Sequence, residues 1–373
     1  MPQTYLIAAA RHRLQDPLLL ECWHALLAVS TSPERIYQTP EYFSYALASG
    51  MAGAELFAVS ECGSGRLVGI VPVLERAHSL DFHTGARCFA ALSVSSVVVL
   101  GSVPLLPHDA ALWQQLWRFL LARYPHCQAV SLTALPAPSA GPSADAAWWP
   151  LLRAPSTLRH VPHGWRDCHT VPLQANYAAL LARLGSKRRY NLKRQMRLLE
   201  EQRGGLTLHA ITQPTQLPTL SAALATLSTP QQRRQWLSDA SLLSLAERGL
   251  LLSYVLECGA QPGALILALT DGRVLHVNNI LHAPALAQLS AGTAILFMAM
   301  EDACQRGLRA LDFGYGSPAH SYQSTNVTQR RGHVLLLRAN VRNYLVSTAH
   351  RLWCAVVERA RTINANRWRA RMR

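Results

Sequence analysis

Val274-Leu-His-Val-Asn-Asn-Ile280 reads as a strand, Thr293 to Arg306 as a helix, and Ala310-Leu-Asp-Phe313 as a second strand. Aliphatic runs bounded by turn residues give the strands, and apolar periodicity gives the helix. Between the first strand and the helix lies Gln288-Leu-Ser-Ala-Gly-Thr-Ala294. A turn of small residues entering a helix exposes backbone N–H groups, which favour an anion such as a phosphate. A helix N-cap formed by Ser290 or Thr293 accounts for the same residues. A strand–helix–strand order points to an α/β fold.

Upstream, Leu251 to Glu257 and Gly263 to Leu269 form a hairpin across Cys258-Gly-Ala-Gln-Pro262. Helices are expected over about 216–228 and 232–248, and a strand over Leu206 to Ile211. The first half repeats this order. Helices cover Leu18 to Val29 and Pro40 to Ala48, and a hairpin joins Glu55–Ser60 to Arg66–Leu74 through a Gly/Ser turn. A buried strand over Ser93 to Leu100, a helix over Ala110 to Tyr124 and a strand over Ala129 to Thr133 follow. The linker-like Leu135-Pro-Ala-Pro-Ser-Ala-Gly-Pro-Ser143 separates the halves. The expectation is a duplicated α/β chain with mixed sheets: residues 1–150, residues 151–340, and a basic C-terminal stretch over 341–373.

Ser186-Lys-Arg-Arg-Tyr-Asn-Leu-Lys-Arg-Gln-Met-Arg197 opens a helix that Gly204-Gly205 stops. It carries both lysines of the chain, Lys187 and Lys193. Leu192, Met196 and Leu199 make its apolar face, while Arg189, Lys193 and Arg197 form a row with Lys187, Tyr190 and Arg194 beside it. Ser186 is the expected N-cap. The chain of 373 residues has a net charge of +15. That charge favours anionic partners, and the acid-free row on this helix is a candidate contact for one.

The third constellation is Leu311-Asp-Phe-Gly-Tyr-Gly-Ser-Pro-Ala-His-Ser-Tyr322. Asp312 on a strand, followed by Tyr315, His320 and Tyr322, gathers groups that move protons. His276 and Asn278 on the preceding strand are candidate neighbours. Asp312 can equally serve as a structural acceptor for backbone N–H groups, and His276 as a core histidine.

Composition narrows the class. Half of the residues are hydrophobic and 15% are charged, a globular profile. The eight cysteines are scattered, with no CxxC and no Cys/His ligand spacing, so neither a zinc site nor a redox pair is expected. The N-terminal MPQTYLIAAARHRLQD lacks a signal-length apolar run, and no run reaches bilayer-spanning length. A cytoplasmic location is expected.

On Tyr37-Gln-Thr-Pro-Glu-Tyr-Phe43, Leu67-Val-Gly-Ile-Val-Pro-Val73, Ser186 to Arg194, Ser290-Ala-Gly292 and Asp312-Phe-Gly-Tyr-Gly316, the chain resembles a known group. These are the tandem-domain GNAT-superfamily acyltransferases of bacterial exopolysaccharide (cellulose-biosynthesis-type) gene clusters, related to FemAB-like peptidyltransferases. The resemblance implies two tandem GNAT-like acyltransferase domains, with the donor site in the second. It puts Ser290, Gly292 and Thr293 at the donor phosphates, and His276, Asn278, Asp312 and Tyr315 near the reacting carbonyl. The co-substrate implied is an acyl-CoA or acyl carrier protein thioester, without a metal. Transfer would be direct, with His276 or Asp312 as base and Tyr315 or Tyr322 as acid. Lys187, Arg189, Tyr190, Lys193, Arg194, Asn278 and His320 are the candidate substrate contacts.

This chain has Tyr322-Gln323 where the group often has Tyr-Lys, and its 288–294 turn misses the usual acetyl-CoA loop spacing by one residue. Longer acyl chains and an aminoacyl-tRNA donor stay open beside acetyl-CoA. A catalytically inactive scaffold for polysaccharide assembly is a further alternative. Sequence-specific DNA binding is not expected. Residues 341–361 read as an amphipathic helix flanked by arginines. Such a helix can lie on the inner face of an anionic membrane or pack on the protein.

Overall fold

The computed structural model describes residues 5–84, 87–138, 148–153, 156–174, 176–235, 238–315 and 327–371. The chain forms two compact units, Met1–Arg166 with Arg330–Arg373 (unit 1) and Asp167–Gln329 (unit 2). The expected break near residue 150 and the separate tail from 341 differ from these limits, because the chain returns to unit 1 after residue 329.

Unit 1 starts with β1 (Tyr5–Ala9), α1 (Pro17–Val29) and α2 (Pro40–Ala48). Both helices begin with proline at the first position and a capping side chain before it. Asp16 accepts from the Leu18 N–H at 3.0 Å, and Thr39 from the Tyr42 N–H at 3.2 Å. Then come β2 (Glu55–Glu61), β3 (Leu67–Thr84), β4 (Arg87–Val99), α3 (Ala110–Arg123), β5 (Ala129–Pro136) and β6 (Thr157–His160). β3 and β4 extend well beyond the expected arms, pairing as far as Thr84 with Arg87. The outer part of β3 is rich in polar residues, and that of β4 is exposed although it holds Cys88-Phe-Ala-Ala-Leu92, so neither shows the alternation of a half-buried strand.

Alternation along the central strands builds a three-layer unit. Leu56, Ala58 and Ile70 pack with Trp23 and Phe43 of α1 and α2. Their neighbours Phe57, Val59 and Val71 pack with Trp113 and Trp117 of α3.

Unit 2 contains β7 (Arg166–Pro172), α4 (Tyr177–Ala182), α5 (Ser186–Arg203), β8 (Leu206–Ile211), α6 (Leu217–Leu227), α7 (Pro230–Gln235), α8 (Asp239–Glu247), β9 (Ser253–Cys258), β10 (Gln261–Thr270), β11 (Val274–His282), α9 (Ala291–Gln305) and β12 (Ala310–Asp312). Its strand order is β7-β12-β11-β10-β9-β8. β11 and β12 are parallel, and the other neighbouring pairs are antiparallel. One face of this sheet packs on α4, α5 and α9 through Tyr254, Ile266, Leu275, Leu311 and Val171. Where one helix was expected over 232–248 there are two, α7 and α8. Ser238 caps α8 by accepting from the Ser241 N–H at 3.2 Å.

The chain then returns to unit 1 as β13 (Val327–Arg338) and α10 (Val341–Arg371). β13 pairs antiparallel with β5 and with β6, extending the unit 1 order β1-β2-β3-β4-β5. Strands β1, β6, β7 and β13 are additions to the sequence reading.

Candidate functional site

Unit 2 brings two of the predicted residues into one row. His276 on β11 and Asp312 on β12 are register partners, and Asp312 pairs in turn with Thr170 on β7. Register partners point to the same face. The preceding row, Leu275, Leu311 and Val171, fills the core against α9, so His276 and Asp312 project from the opposite face. Both are buried, at 7% and 6% exposure.

That row is also where the sheet divides. β11 and β12 pair only over Val274–His276 and Ala310–Asp312, while β11 runs on along β10 to His282. A β-bulge follows at once: Leu267 pairs with Asn279 and Ala268 with Val277, leaving Asn278 as the extra, exposed residue. A bulge bends its strand and frees backbone groups from the ladder. β12 instead turns through Gly314, at φ +54°, a left-handed conformation that glycine adopts without strain. The Gly314 N–H donates to Asp312 Oδ1 at 2.8 Å, and its carbonyl accepts from the His169 N–H at 3.1 Å. One Asp312 oxygen therefore does act as a backbone acceptor. Tyr315 follows at 38% exposure.

α9 begins beside the end of β11. Its N-cap, Ser290, sits in the left-handed region at φ +58° and makes no side-chain cap bond. Its carbonyl accepts from the Thr293 and Ala294 N–H groups at 2.9 and 3.0 Å. The opening N–H groups of a helix have no partner within it and carry its positive dipole end. A left-handed residue followed by right-handed ones makes successive N–H groups converge. Gly292 lies against His282: a Cβ there would stand 3.4 Å from Nδ1. His282 is a residue the sequence reading did not single out. Its signal was its place at the strand end just before the small-residue turn.

The basic helix α5 occupies another layer. Leu192 and Leu199 bury it in the core shared with α9, opposite in face to His276 and Asp312. Its N-cap is Gly185 rather than Ser186, since the Arg188 and Arg189 N–H groups donate to the Gly185 carbonyl at 2.9 and 3.0 Å. Arg189 Nη1 donates to the carbonyls of Ala182 and Leu184 at 3.2 and 2.6 Å, closing the end of α4. Arg197 pairs with Glu201 at 3.4 Å. Lys187, Tyr190, Lys193 and Arg194 are exposed, and the three cations make no ion pair among the described residues. His320 and Tyr322 lie outside the described residues.

Folding also gathers one group in unit 1 that linear spacing does not reveal. Glu75, His126 and Cys127 bring potential ligand atoms within 4.8 Å of one another, with His126 Nε2 2.6 Å from Glu75 Oε2.

Two parallel strands that part beside an open helix N-terminus, with a polar row at the parting, define a GNAT-type acyltransferase fold. Residues 186–324 match the family described as acetyltransferase (GNAT) domain. Among solved structures, FemX aligns at TM-score 0.57 and 10% identity over 88% of this chain and 98% of FemX. A tandem GNAT protein from the clavulanic acid biosynthesis pathway aligns at TM-score 0.50 and 12% identity over 90% of this chain and 99% of that one. No curated protein matches the chain. Residues 186–324 thus match a GNAT acetyltransferase domain, and the chain as a whole shares the fold of FemX and of a tandem GNAT protein.

Proposed function

We propose that unit 2 moves an acyl group from a thioester donor, acyl-CoA or an acyl carrier protein, to an amine or hydroxyl of an acceptor by direct attack. The observation that carries this reading is the parting of β11 from β12 at His276 and Asp312, next to the uncapped start of α9. In this reading the donor phosphates meet Ser290, Gly292 and Thr293, and the acyl thioester lies in the parting, near Asn278. His276 or Asp312 takes the proton from the attacking amine or hydroxyl. The new bond forms to the acyl carbon, the C–S bond breaks, and Tyr315 or Tyr322 protonates the leaving thiolate. Backbone N–H groups freed by the bulge are suited to hold the oxyanion.

A second reading, an aminoacyl-tRNA donor, is favoured by the exposed cations Lys187, Lys193 and Arg194 on α5. Incubating the purified chain with labelled acyl-CoA, acyl carrier protein and charged tRNA separates these readings. Saturable retention of a thioester is the expected outcome. Retention of charged tRNA alone would sink the thioester donor, and retention of none would favour a non-catalytic scaffold. Reversal of Arg194 to Glu should weaken a tRNA and leave acyl-CoA affinity unchanged.

A further inference from the structure

α10 carries apolar side chains on both sides. The face packed on unit 1 is mixed: Asn343, Ser347 and His350 are buried there, and Val346 packs on the cluster of Leu80, Val94 and Leu335. Hydrogen bonds hold it there. Asn343 Nδ2 donates to the Arg338 carbonyl at 3.0 Å, His350 Nδ1 stands 3.2 Å from His160 Nε2, and Trp353 Nε1 donates to the His83 carbonyl at 3.2 Å. The outward face is apolar. Val341, Leu345, Leu352 and Val356 are 76%, 61%, 63% and 65% exposed. Their offsets of 4, 11 and 15 residues from Val341 put them in one stripe at 3.6 residues per turn. Phe89 of β4, 62% exposed, adds an aromatic at 5.7 Å from the Trp353 ring.

The charge around this stripe is predominantly positive. Residues 341–373 hold eight arginines and a single acid, Glu358. Of these, Arg342, Arg351 and Arg359 are exposed on the helix. A second copy of the chain would bring another +15 against them, and a nucleic acid would leave the apolar stripe in water. An anionic bilayer surface matches both features, taking leucine and valine below its headgroups and arginine at their level. Among the described residues no helix is long and apolar enough to cross a membrane. We propose that the outward face of α10 docks unit 1 on an anionic lipid surface, lying in its plane. This inference is independent of the acyl-transfer reading.

The full chain is to be sedimented with phosphatidylcholine vesicles with and without phosphatidylglycerol, at low and at physiological salt. Binding should require the anionic lipid and weaken with salt. Leu345→Ser, Leu352→Ser and Val356→Ser together should lower the partition constant by at least about tenfold. Arg351→Glu with Arg359→Glu should abolish the preference for anionic vesicles. Circular dichroism should show both variants folded, since the altered side chains face solvent. No binding to anionic vesicles by the full chain would overturn the proposal, as would unchanged binding by the folded serine variant. A dimer seen in sedimentation equilibrium, and lost in the serine variant, would assign the stripe to a second copy instead.

Discussion

β4–α3–β5 in unit 1 and β11–α9–β12 in unit 2 are the same device, two parallel strands joined by one helix, finished in opposite ways. In unit 2 the parallel pairing ends on His276 and Asp312; in unit 1 it ends on Val99 and Leu132, both fully buried. Beyond that point side chains bridge the strands of unit 1, beside a cavity of about 510 Å³ lined by Glu34, Gly101 and Thr133. Ser102 Oγ donates to the Thr133 carbonyl at 2.7 Å, and Thr133 Oγ1 donates to Glu34 Oε2 at 2.6 Å. Gln38 lies against Gly101 and donates from Nε2 to the Val103 carbonyl at 2.8 Å. The helix starts differ as well. Asp109 caps α3, Oδ1 accepting from the Ala111 and Leu112 N–H groups at 2.7 and 3.3 Å, while Oδ2 takes the Tyr5 hydroxyl at 2.9 Å. Partial burial favours the neutral carboxyl, but these donors outweigh it and hold Asp109 below the usual carboxylate range. An anion thus already occupies the dipole end of α3. The lesson is that one scaffold ends in bridged strands and a capped helix in one unit and in a polar row beside a helix without a side-chain cap in the other, through a few side chains at the parting.

The sharpest way to break this comparison is Asp312→Asn. It keeps an oxygen for the Gly314 N–H but removes the carboxylate. We expect acyl transfer to fall by about a hundredfold or more, within the range for lost acid–base groups, with little change in melting temperature. Full activity would leave His276 as the base and Asp312 as architecture.

Acid should separate the units next. Burial holds His78 down at about 4, with the charge of Arg76 adding to it. Burial likewise holds His333 and His160 at about 3, assisted by His78 and His350 respectively. Each is neutral when folded and titrates near 6.5 when unfolded, so the unfolded chain binds more protons as pH falls below 6.5. Their contribution is complete above that pH and is lost down to the folded values, on the order of 1 kcal/mol per pH unit for each histidine. Chemical denaturation followed from neutral pH toward pH 4 should show unit 1 weakening first. Earlier loss of unit 2 would refute the assignment.

Glycine substitutions probe the two openings sterically. Gly101 has φ +73°, and a Cβ there would overlap the Gln38 side chain and come within 2.8 Å of the Glu34 carbonyl oxygen. Gly101→Ala should destabilise unit 1 by about 2–3 kcal/mol in a urea melt. Gly292 is helical with its nearest neighbour at 3.4 Å, and Gly292→Ala should be close to neutral. Equal costs would mean that the two partings are equally closed.

The smallest effect copies unit 1 into unit 2. Ser290→Asp places a carboxylate where α3 has Asp109, at a left-handed position that aspartate tolerates better than most residues. Donor affinity measured by calorimetry should weaken by about tenfold. An unchanged affinity would remove the start of α9 from the donor site.

Much of this was legible along the chain. Aliphatic runs marked β2, β5 and β9 to β11, and the apolar period with its stop at Gly204 marked α5. Where the periodic signal was absent the reading failed. The outer parts of β3 and β4 were missed, as were the short β6 and the arginine-bearing β13. The site divides the same way. Asp312 and His276 stood out because acids and histidines on apolar strands need partners, whereas His282 matters only through its closeness to Gly292. The charge row on α5 was correctly seen as a face, but not that Arg189 is spent on closing α4.

By itself, then, the sequence determined which segments become strands and helices, and where its cations cluster, because period and turn chemistry are local. Only the tertiary structure decided that His276 and Asp312 share a row, that side chains bridge the parting in unit 1, and that α10 turns an apolar stripe outward. Those outcomes depend on register and packing between segments far apart in the chain, which no local pattern encodes.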